Sequence, residues 1–228
     1  MRIVFFGDSL TAGTYGVNYV DKIAAALPGH EIINAGVNGD TILNLRQRVE
    51  SGVIARQPDG VLILVGINDA TAYSEPGARP YFRLGKHVPR GIVTIEDFHT
   101  NLQALLVQLS AAGIHRVWLA LPPVEYRPAL VKAVRQFNAQ AVIVCQERDV
   151  PVLDLFAALV PDDIPERPAM GIGHFRKIAE TKLNSSPYDH LRDAGGYTYT
   201  FDGIHLTEGG ATQFADLILT FLREQGIT

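Results

Sequence analysis

The sequence has little cysteine, little charge and no long apolar stretch, and each shortage excludes a class of protein. A single cysteine, Cys145, among 228 residues cannot form an internal disulfide or supply a cysteine-based zinc site. Charged residues make up 19% and the formal net charge is −4, which argues against a general binder of nucleic acid or membrane surfaces. No apolar run approaches the roughly 18 residues of a membrane span. With 47% apolar residues, the composition is typical of a folded domain with a sizeable core.

The first residues form an apolar run that is too short for a targeting signal. Met1 and Arg2 are followed by Ile3 to Phe6 and then directly by a Gly-Asp-Ser turn. Neither the apolar core of a signal peptide nor a cleavage-site pattern is present. We therefore expect a cytoplasmic protein.

Five short apolar runs separated by helical patterns predict a parallel α/β sheet. The runs are Ile3–Phe6, Glu31–Asn34, Val61–Val65, Arg116–Leu121 and Val150–Leu153. Most are continuously apolar rather than alternating, which is typical of strands covered on both faces. Helical patterns occupy Tyr15–Leu27 and Thr41–Ala55, and further apolar stripes with helical spacing start at Phe98, Leu130 and Phe214. Strands that alternate with helices indicate one α/β domain over residues 1–228.

Two stretches, residues 70–95 and 155–200, interrupt this alternation. Loops of that length are uncommon in a compact domain unless they have a function or are disordered. Neither stretch has enough apolar periodicity for a core of its own, so we interpret both as insertions, with a short helix at residues 173–184. The first follows Asn68 and the second ends just before Asp202. We therefore expect both insertions to border the pocket.

The insertions carry two groups of side chains with more than one interpretation. Basic residues of the first insertion indicate either a solvated loop or a contact with an anionic substrate group. They are Arg79, Arg83, Lys86 and Arg90, against the single acid Glu75. Aromatic residues either line the pocket or anchor the insertions. They are Tyr73, Tyr81, Phe82, Phe175, Tyr188, Tyr197 and Tyr199.

Residues able to carry chemistry follow the first three strands and precede the last helix. Ser9, Gly39 and Asn68 follow the first, second and third runs, and Asp202 and His205 lie three residues apart near the C-terminus. Ligands bind at the carboxyl ends of the strands in parallel α/β sheets. We therefore expect these residues to meet at one edge of the sheet.

These residues can serve as the parts of a serine hydrolase. A serine hydroxyl needs a base, so His205 is the candidate to take the Ser9 proton, and Asp202 is placed to hold the imidazole by its other nitrogen. The backbone N–H groups of Ser9 and Gly39 and the side-chain amide of Asn68 are candidate donors to an oxyanion. Each segment alone is typical of a turn or a helix cap. Their combination, in this order, favours the hydrolase.

The same segments resemble the GDSL-type SGNH hydrolase superfamily. Its blocks are matched by Phe6–Gly13, by Asn34–Gly36 through Gly39–Thr41, by Gly66–Asp69 and by Asp202–Leu206. The resemblance implies a three-layer α/β/α, flavodoxin-like fold with five parallel strands. It assigns catalysis to Ser9, His205 and Asp202, and the oxyanion hole to Ser9, Gly39 and Asn68. We choose Gly39 over Gly36 because it directly precedes the Asp-Thr pair that enters the helix.

The resemblance also implies an ester hydrolase, or acylhydrolase, that works through an acyl-enzyme without a cofactor or metal. Members of the superfamily act on lipid esters, thioesters, acetylated sugars and aryl esters. The sequence has no obvious hydrophobic lid, so we expect a small-molecule ester, which includes the acetyl ester of a sugar. We expect neither nucleic acid nor a membrane as partner, and the oligomeric state stays open.

Other interpretations account for fewer of these residues. A flavodoxin-like module that binds phosphate or FMN would use Ser9 and Thr11 at a helix N-terminus, but it leaves Asn68 and the Asp202–His205 pair without a role. A catalytically inactive binder of esters or glycans is a second alternative. The nucleophile elbow of α/β-hydrolases needs glycine where Thr11 stands, and the P-loop motif and the spacing of metal ligands are absent from the sequence.

Overall fold

A parallel sheet of five strands forms the centre of the protein in a computed structural model, which describes residues 1–181 and 188–228. The strands are β1 (Arg2–Gly7), β2 (Glu31–Gly36), β3 (Gly60–Leu64), β4 (Val117–Leu121) and β5 (Val152–Asp154). Their spatial order is β2-β1-β3-β4-β5, with every neighbouring pair parallel. This is the flavodoxin-like order, so the predicted fold is confirmed.

Helices cover both faces of this sheet. They are α1 (Ser9–Ala12), α2 (Tyr19–Ala26), α3 (Ile42–Gly52), α4 (Ile67–Ser74), α5 (Arg79–Gly85), α6 (Ile95–Ala111), α7 (Pro128–Gln146), α8 (Leu155–Leu159), α9 (Ile172–Thr181), α10 (Tyr188–Gly195) and α11 (Glu208–Glu224). The connection from β1 to β2 runs towards one edge of the sheet, and the connections from β2 onward run towards the opposite edge. Right-handed crossovers then place α2 and α3 on opposite faces. Accordingly, α2 packs on α11, while α3, α6 and α7 pack side by side. No helix within the two described ranges combines the length and apolarity needed to cross a membrane.

The central strands are the most deeply buried part of the chain. All five residues of β3 and all five of β4 are buried, whereas β2 and β5 at the sheet edges are partly exposed. A central parallel strand is covered by helices on both faces, which explains its unbroken apolar sequence. Edge strands have less cover, and their apolar runs are correspondingly weaker.

Helix boundaries follow local capping chemistry. Thr94 and Asp97 form the predicted capping box at the start of α6, with Asp97 N–H donating to Thr94 Oγ1 at 3.0 Å. Thr207 caps α11 as expected. The helix predicted from Tyr15 starts later, at Tyr19, because the Asn18 side chain accepts the Val20 N–H and fixes the helix start there.

Both insertions contain regular structure. Residues 70–95, the first insertion, hold the end of α4, all of α5, two 3-10 turns and the first residue of α6. Residues 155–200 hold α8, α9 and α10. The short helix expected at residues 173–184 is α9, and residues 182–184 lie outside the described part of the chain. Glu75 links the insertions, since its buried Oε2 accepts the Met170 N–H at 2.8 Å.

The apolar stripe of α6 gives a direct test of this packing. Leu102 is fully buried, so Leu102→Ala should lower the free energy of unfolding by about 2–5 kcal/mol, because the lost methyl groups leave a cavity. Val107 in the same helix is 45% exposed, so Val107→Ala should change it by no more than about 0.5 kcal/mol. Equilibrium unfolding in urea measures both. Equal losses in the two variants would contradict the orientation of α6.

Candidate active site

The candidate site lies where the strand order reverses, at the carboxyl ends of β1 and β3. Ligands of doubly wound sheets bind at this switch point. A pocket of about 170 Å³ opens there. It is lined by Ser9, Tyr15, Asn38, Gly39, Asn68, Thr71, Tyr81, Phe175, Ile178, Ala179, Ile204 and His205. A larger groove of about 600 Å³ lies beside the start of α7, but none of the predicted site residues line it.

Three of the predicted residues form a continuous hydrogen-bonded chain. His205 Nε2 is 3.0 Å from Ser9 Oγ, and His205 Nδ1 is 2.7 Å from Asp202 Oδ2. Ser9 and His205 are nearly buried, with 6% and 5% of their surfaces exposed. A hydroxyl, an imidazole and a carboxylate in this order allow proton transfer from the hydroxyl to the ring.

Ser9 is held on a tight turn between β1 and α2. The Asp8 side chain accepts the Leu10 N–H at 3.0 Å, and Gly13 closes the single turn of α1 in the left-handed conformation, with φ 63°. A Cβ atom at Gly7 would lie 2.6 Å from the Leu64 carbonyl oxygen. Only glycine therefore lets β1 pass β3 this closely and present Ser9 at the strand end.

The Asp202 side chain fixes the loop that carries Asp202 and His205 by accepting backbone N–H groups of that loop. Asp202 Oδ1 accepts the N–H groups of Ile204 and His205 at 2.9 and 2.7 Å, while its Oδ2 faces the imidazole. Burial raises the pKa of Asp202, but the facing charge of His205 and these hydrogen bonds outweigh burial and hold the pKa below its usual value. The His205 ring contacts the Tyr15 ring edge-on, with 5.5 Å between the ring centroids, and stacks on the Phe201 ring, with 5.9 Å between the centroids. These contacts restrict its orientation.

A buried carboxylate that we did not predict positions the chain just before Asp202. Glu125 lies in the loop after β4 and is 2% exposed. It accepts hydrogen bonds from the backbone N–H groups of Thr198, Tyr199 and Thr200, and from both threonine hydroxyls. Five hydrogen bonds to one side chain hold this segment firmly in place. Its sequence signal is a single acid at the end of a buried apolar run.

The candidate oxyanion donors converge from three strand ends. Gly39 adopts a left-handed conformation, with φ 75°, and lines the pocket beside Ser9. The Asn68 side-chain amide donates to the Asp40 carbonyl at 3.0 Å, which fixes its orientation. Gly36 lies elsewhere, since a Cβ there would approach the Ala12 nitrogen at 2.1 Å. Gly36 packs closely on α1, and Gly39 stays the predicted donor.

Buried charges hold the turn that contains Gly39. Asp40 is 2% exposed and pairs with Arg48 at 2.5 Å and with Lys86 at 2.6 Å. Lys86 also donates to the Asn38 carbonyl at 2.8 Å. The ammonium group of Lys86 therefore secures this turn, and it does not match either earlier interpretation, a solvated residue or an anion contact. Another basic side chain of this insertion, Arg79, donates to backbone carbonyls of α4.

Two further carboxyl groups are buried beneath the site. Burial raises the pKa of Asp8 to about 7 and that of Asp69 to about 8. Asp69 Oδ1 accepts the Ile42 N–H at 3.0 Å, which joins the start of α4 to the start of α3. The second oxygen of each group has no protein hydrogen-bond partner among the described residues. Both groups are therefore stabilised in their neutral, protonated forms.

The predicted aromatic residues divide between pocket and anchor. Tyr81 and Phe175 line the pocket, and Tyr15, which we did not predict, joins them. Tyr73 packs on Phe137 instead. The remaining predicted aromatics do not line this pocket. They are Phe82 and Tyr199, which are buried, Tyr188, which stacks on Phe201, and Tyr197, which packs under Arg167. The apolar character of these residues gave no signal of this division.

The sheet order, together with a hydrogen-bonded serine, histidine and aspartate at its carboxyl edge, is typical of SGNH hydrolases. Residues 5–212 match the GDSL-like Lipase/Acylhydrolase family. Because this match spans most of the chain, the protein belongs to that family, and the resemblance deduced from the four blocks is confirmed.

The individual relatives that follow share less than 30% of their aligned residues with this chain. The chain is 29% identical to an acetylxylan esterase of Geobacillus stearothermophilus, over 47% of this chain and 53% of that protein. It is 28% identical to an uncharacterised lipoprotein of Bacillus subtilis strain 168, over 54% of this chain and 49% of that protein. It thus spans about half the length of these curated relatives. The fold resembles a lipase/acylhydrolase from Enterococcus faecalis, with a TM-score of 0.65 and 22% identity over 98% of this chain and 96% of that chain.

The raised pKa of Asp8 predicts a pH-dependent stability. Between pH 4 and 7 the folded chain keeps a proton on Asp8 that the unfolded chain has lost, so this group makes folding less favourable as the pH rises. Asp8→Asn keeps the cap on Leu10 but does not titrate. Between pH 4 and 7 the free energy of unfolding should therefore fall further in the wild type than in Asp8→Asn. The difference between the two falls should be at most about 4 kcal/mol. Parallel pH profiles for the two proteins would refute a protonated Asp8.

Proposed function

We propose that this protein is a serine ester hydrolase that acts through an acyl-enzyme. The observation that carries the proposal is the unbroken chain from Ser9 Oγ through the His205 ring to Asp202, at 3.0 and 2.7 Å, at the mouth of a pocket. The family match supports the same chemistry. Each of the three residues has a role that its environment favours.

Acylation begins when Ser9 Oγ attacks the ester carbonyl carbon and its proton passes to His205 Nε2. Asp202, which stays ionised because its pKa is low, holds Nδ1–H and stabilises the imidazolium. When the tetrahedral intermediate collapses, the bond to the alcohol oxygen breaks, and His205 returns the proton to that oxygen. The alcohol leaves, and the acyl group remains on Ser9.

Deacylation repeats these steps with water as the nucleophile. His205 takes a proton from water, the hydroxide attacks the acyl carbon, and Ser9 leaves with the proton from His205. In both halves a negative charge develops on the former carbonyl oxygen. The backbone N–H groups of Ser9 and Gly39 and the Asn68 amide are the donors that we assign to this charge.

The size of the pocket favours a small acyl group. Its volume of about 170 Å³ is below the range of about 300–1,000 Å³ that is usual for drug-sized ligands. A small ester, including the acetyl ester of a sugar, fits this space better than a long-chain lipid. The partial similarity to an acetylxylan esterase supports the acetyl ester as the first substrate to test.

The binding-module alternative accounts for less of the site. A phosphate or FMN module assigns no role to the Asp202–His205 pair, and the small pocket does not suit an isoalloxazine ring. In an inactive binder, the hydrogen-bonded chain from Asp202 through His205 to Ser9 would have no function. The hydrolase assigns a role to all five predicted site residues, which are Ser9, Gly39, Asn68, Asp202 and His205.

Replacement of the nucleophile tests the proposal directly. Ser9→Ala should fold like the wild type but lose hydrolysis of p-nitrophenyl acetate and covalent labelling by a fluorophosphonate, since the oxygen proposed to form the acyl-enzyme is removed. Ser110→Ala, which changes an exposed serine of α6, is the matched control and should keep both activities. Undiminished turnover in a folded Ser9→Ala protein would overturn the proposal.

The oxyanion assignment has its own test. Asn68→Ala should lower kcat by about 10²–10³, with a smaller effect on KM, because the lost hydrogen bond forms mainly in the transition state. Steady-state kinetics with p-nitrophenyl acetate measure both constants, and the melting temperature checks that the variant is folded. If kcat is unchanged in the folded variant, Asn68 is not an oxyanion donor.

A further inference from the structure

Two aromatic rings, one from each insertion, stack beside the candidate nucleophile. Tyr81 of α5 and Phe175 of α9 lie with their ring centroids 4.3 Å apart and their planes within 10°. We propose that this ring pair is the wall of the acyl-binding part of the pocket, and that it restricts the acyl group to two or three carbons. This inference rests on the proposed function and assigns the residues that set its chain-length specificity.

The position of Tyr81 places the wall against the oxyanion hole. A Cβ atom built on Gly39 would lie 2.2 Å from Tyr81 Oη, so the phenol stands directly over this glycine. Both residues line the same pocket as Ser9. A carbonyl carbon attached to Ser9, with its oxygen directed at Gly39, is therefore close to the Tyr81 ring.

The chemistry of the reaction separates the acyl side from the alcohol side. The leaving oxygen must approach His205 Nε2, because it receives its proton there. The carbonyl oxygen points towards Gly39 and Asn68. The acyl chain therefore extends into the rest of the pocket, whose lining includes Tyr81, Phe175 and Ile178.

The ring pair is anchored both to the hydrophobic core and to the turn that contains Gly39. Tyr81 and Phe175 each contact Phe82 edge-on, at 5.1 and 5.9 Å, and Phe82 is fully buried. At the end of α5, Lys86 is tied by its ion pair to Asp40. A wall anchored to the core and to the Gly39 turn resists displacement by a longer chain. Added methylene groups then meet steric resistance, as in an overpacked core.

Acyl chain length and alcohol size can be varied independently to test the wall. One series uses p-nitrophenyl acetate, butyrate and hexanoate, and a second keeps the acetyl group and changes the alcohol. The wild type should have a kcat/KM for acetate at least about tenfold above that for hexanoate. Phe175→Ala should raise the hexanoate-to-acetate ratio of kcat/KM about tenfold or more, because one methylene in an apolar pocket is worth at least that factor.

Two further variants complete the design. Phe175→Leu keeps much of the packing of α9 and should raise the ratio by an intermediate amount, so it serves if the alanine variant does not fold. Ile172→Ala, which truncates a 56% exposed residue of the same helix, should leave the ratio unchanged. The alcohol series should respond little to any of the three substitutions.

Several results would overturn the inference. A wild type that hydrolyses hexanoate as fast as acetate has no such wall. A folded Phe175 variant with the wild-type ratio, or one that changes only the alcohol series, would show that the rings do not border the acyl group. In these cases Ser9-dependent hydrolysis persists and the proposed function stands. Absence of Ser9-dependent hydrolysis of every ester overturns the proposed function, and the inference with it.

Discussion

The guanidinium group of Arg48 is the interaction on which the geometry of the site depends. From α3 it donates to the carbonyls of Gly7 and Ala35, at the ends of β1 and β2, and to the Asp40 carboxylate. Two strand ends and the turn with Gly39 therefore share one rigid cation. The Asp40 carbonyl in turn receives the Asn68 amide from the end of β3. Because arginine presents several donors in a fixed plane, it sets the relative positions of these segments where a lysine could not.

Burial of the carboxyl groups themselves raises the pKa values of two aspartates near this cation. Asp40 forms ion pairs with both Arg48 and Lys86. Asp8 and Asp69 form no ion pair among the described residues, and burial raises their pKa values to about 7 and about 8. The floor of the site thus combines one ion-paired carboxyl group with two that favour a proton. Unpaired negative charge beneath the proposed oxyanion hole would oppose formation of an oxyanion, and protonation of Asp8 and Asp69 would remove that charge.

The two insertions contact each other although the residues that touch, such as Glu75 and Met170, lie 95 positions apart in sequence. Glu75 of the first accepts a backbone N–H from the second, and the rings of Tyr81 and Phe175 stack on each other. The same insertions reach both halves of the reaction centre. Lys86 secures the Gly39 turn, and the second insertion runs into the segment that Glu125 holds before Asp202. Pocket shape and the geometry of the proposed catalytic groups are therefore coupled through shared contacts.

The sequence alone determined the sheet, its layers and the family, and it singled out the residues that we propose as catalytic, because all of these depend on local signals. Apolar runs, capping residues and the Gly-Asp-Ser turn are readable from neighbouring residues, and parallel strands bring their carboxyl ends to one edge. Only the tertiary structure decided how Lys86 is used, which aromatics line the pocket, and that Glu125 and Arg48 hold the site together. Each of those outcomes depends on a partner more than ten residues away, and a charged or aromatic side chain has the same sequence signal whether it binds substrate or anchors a loop.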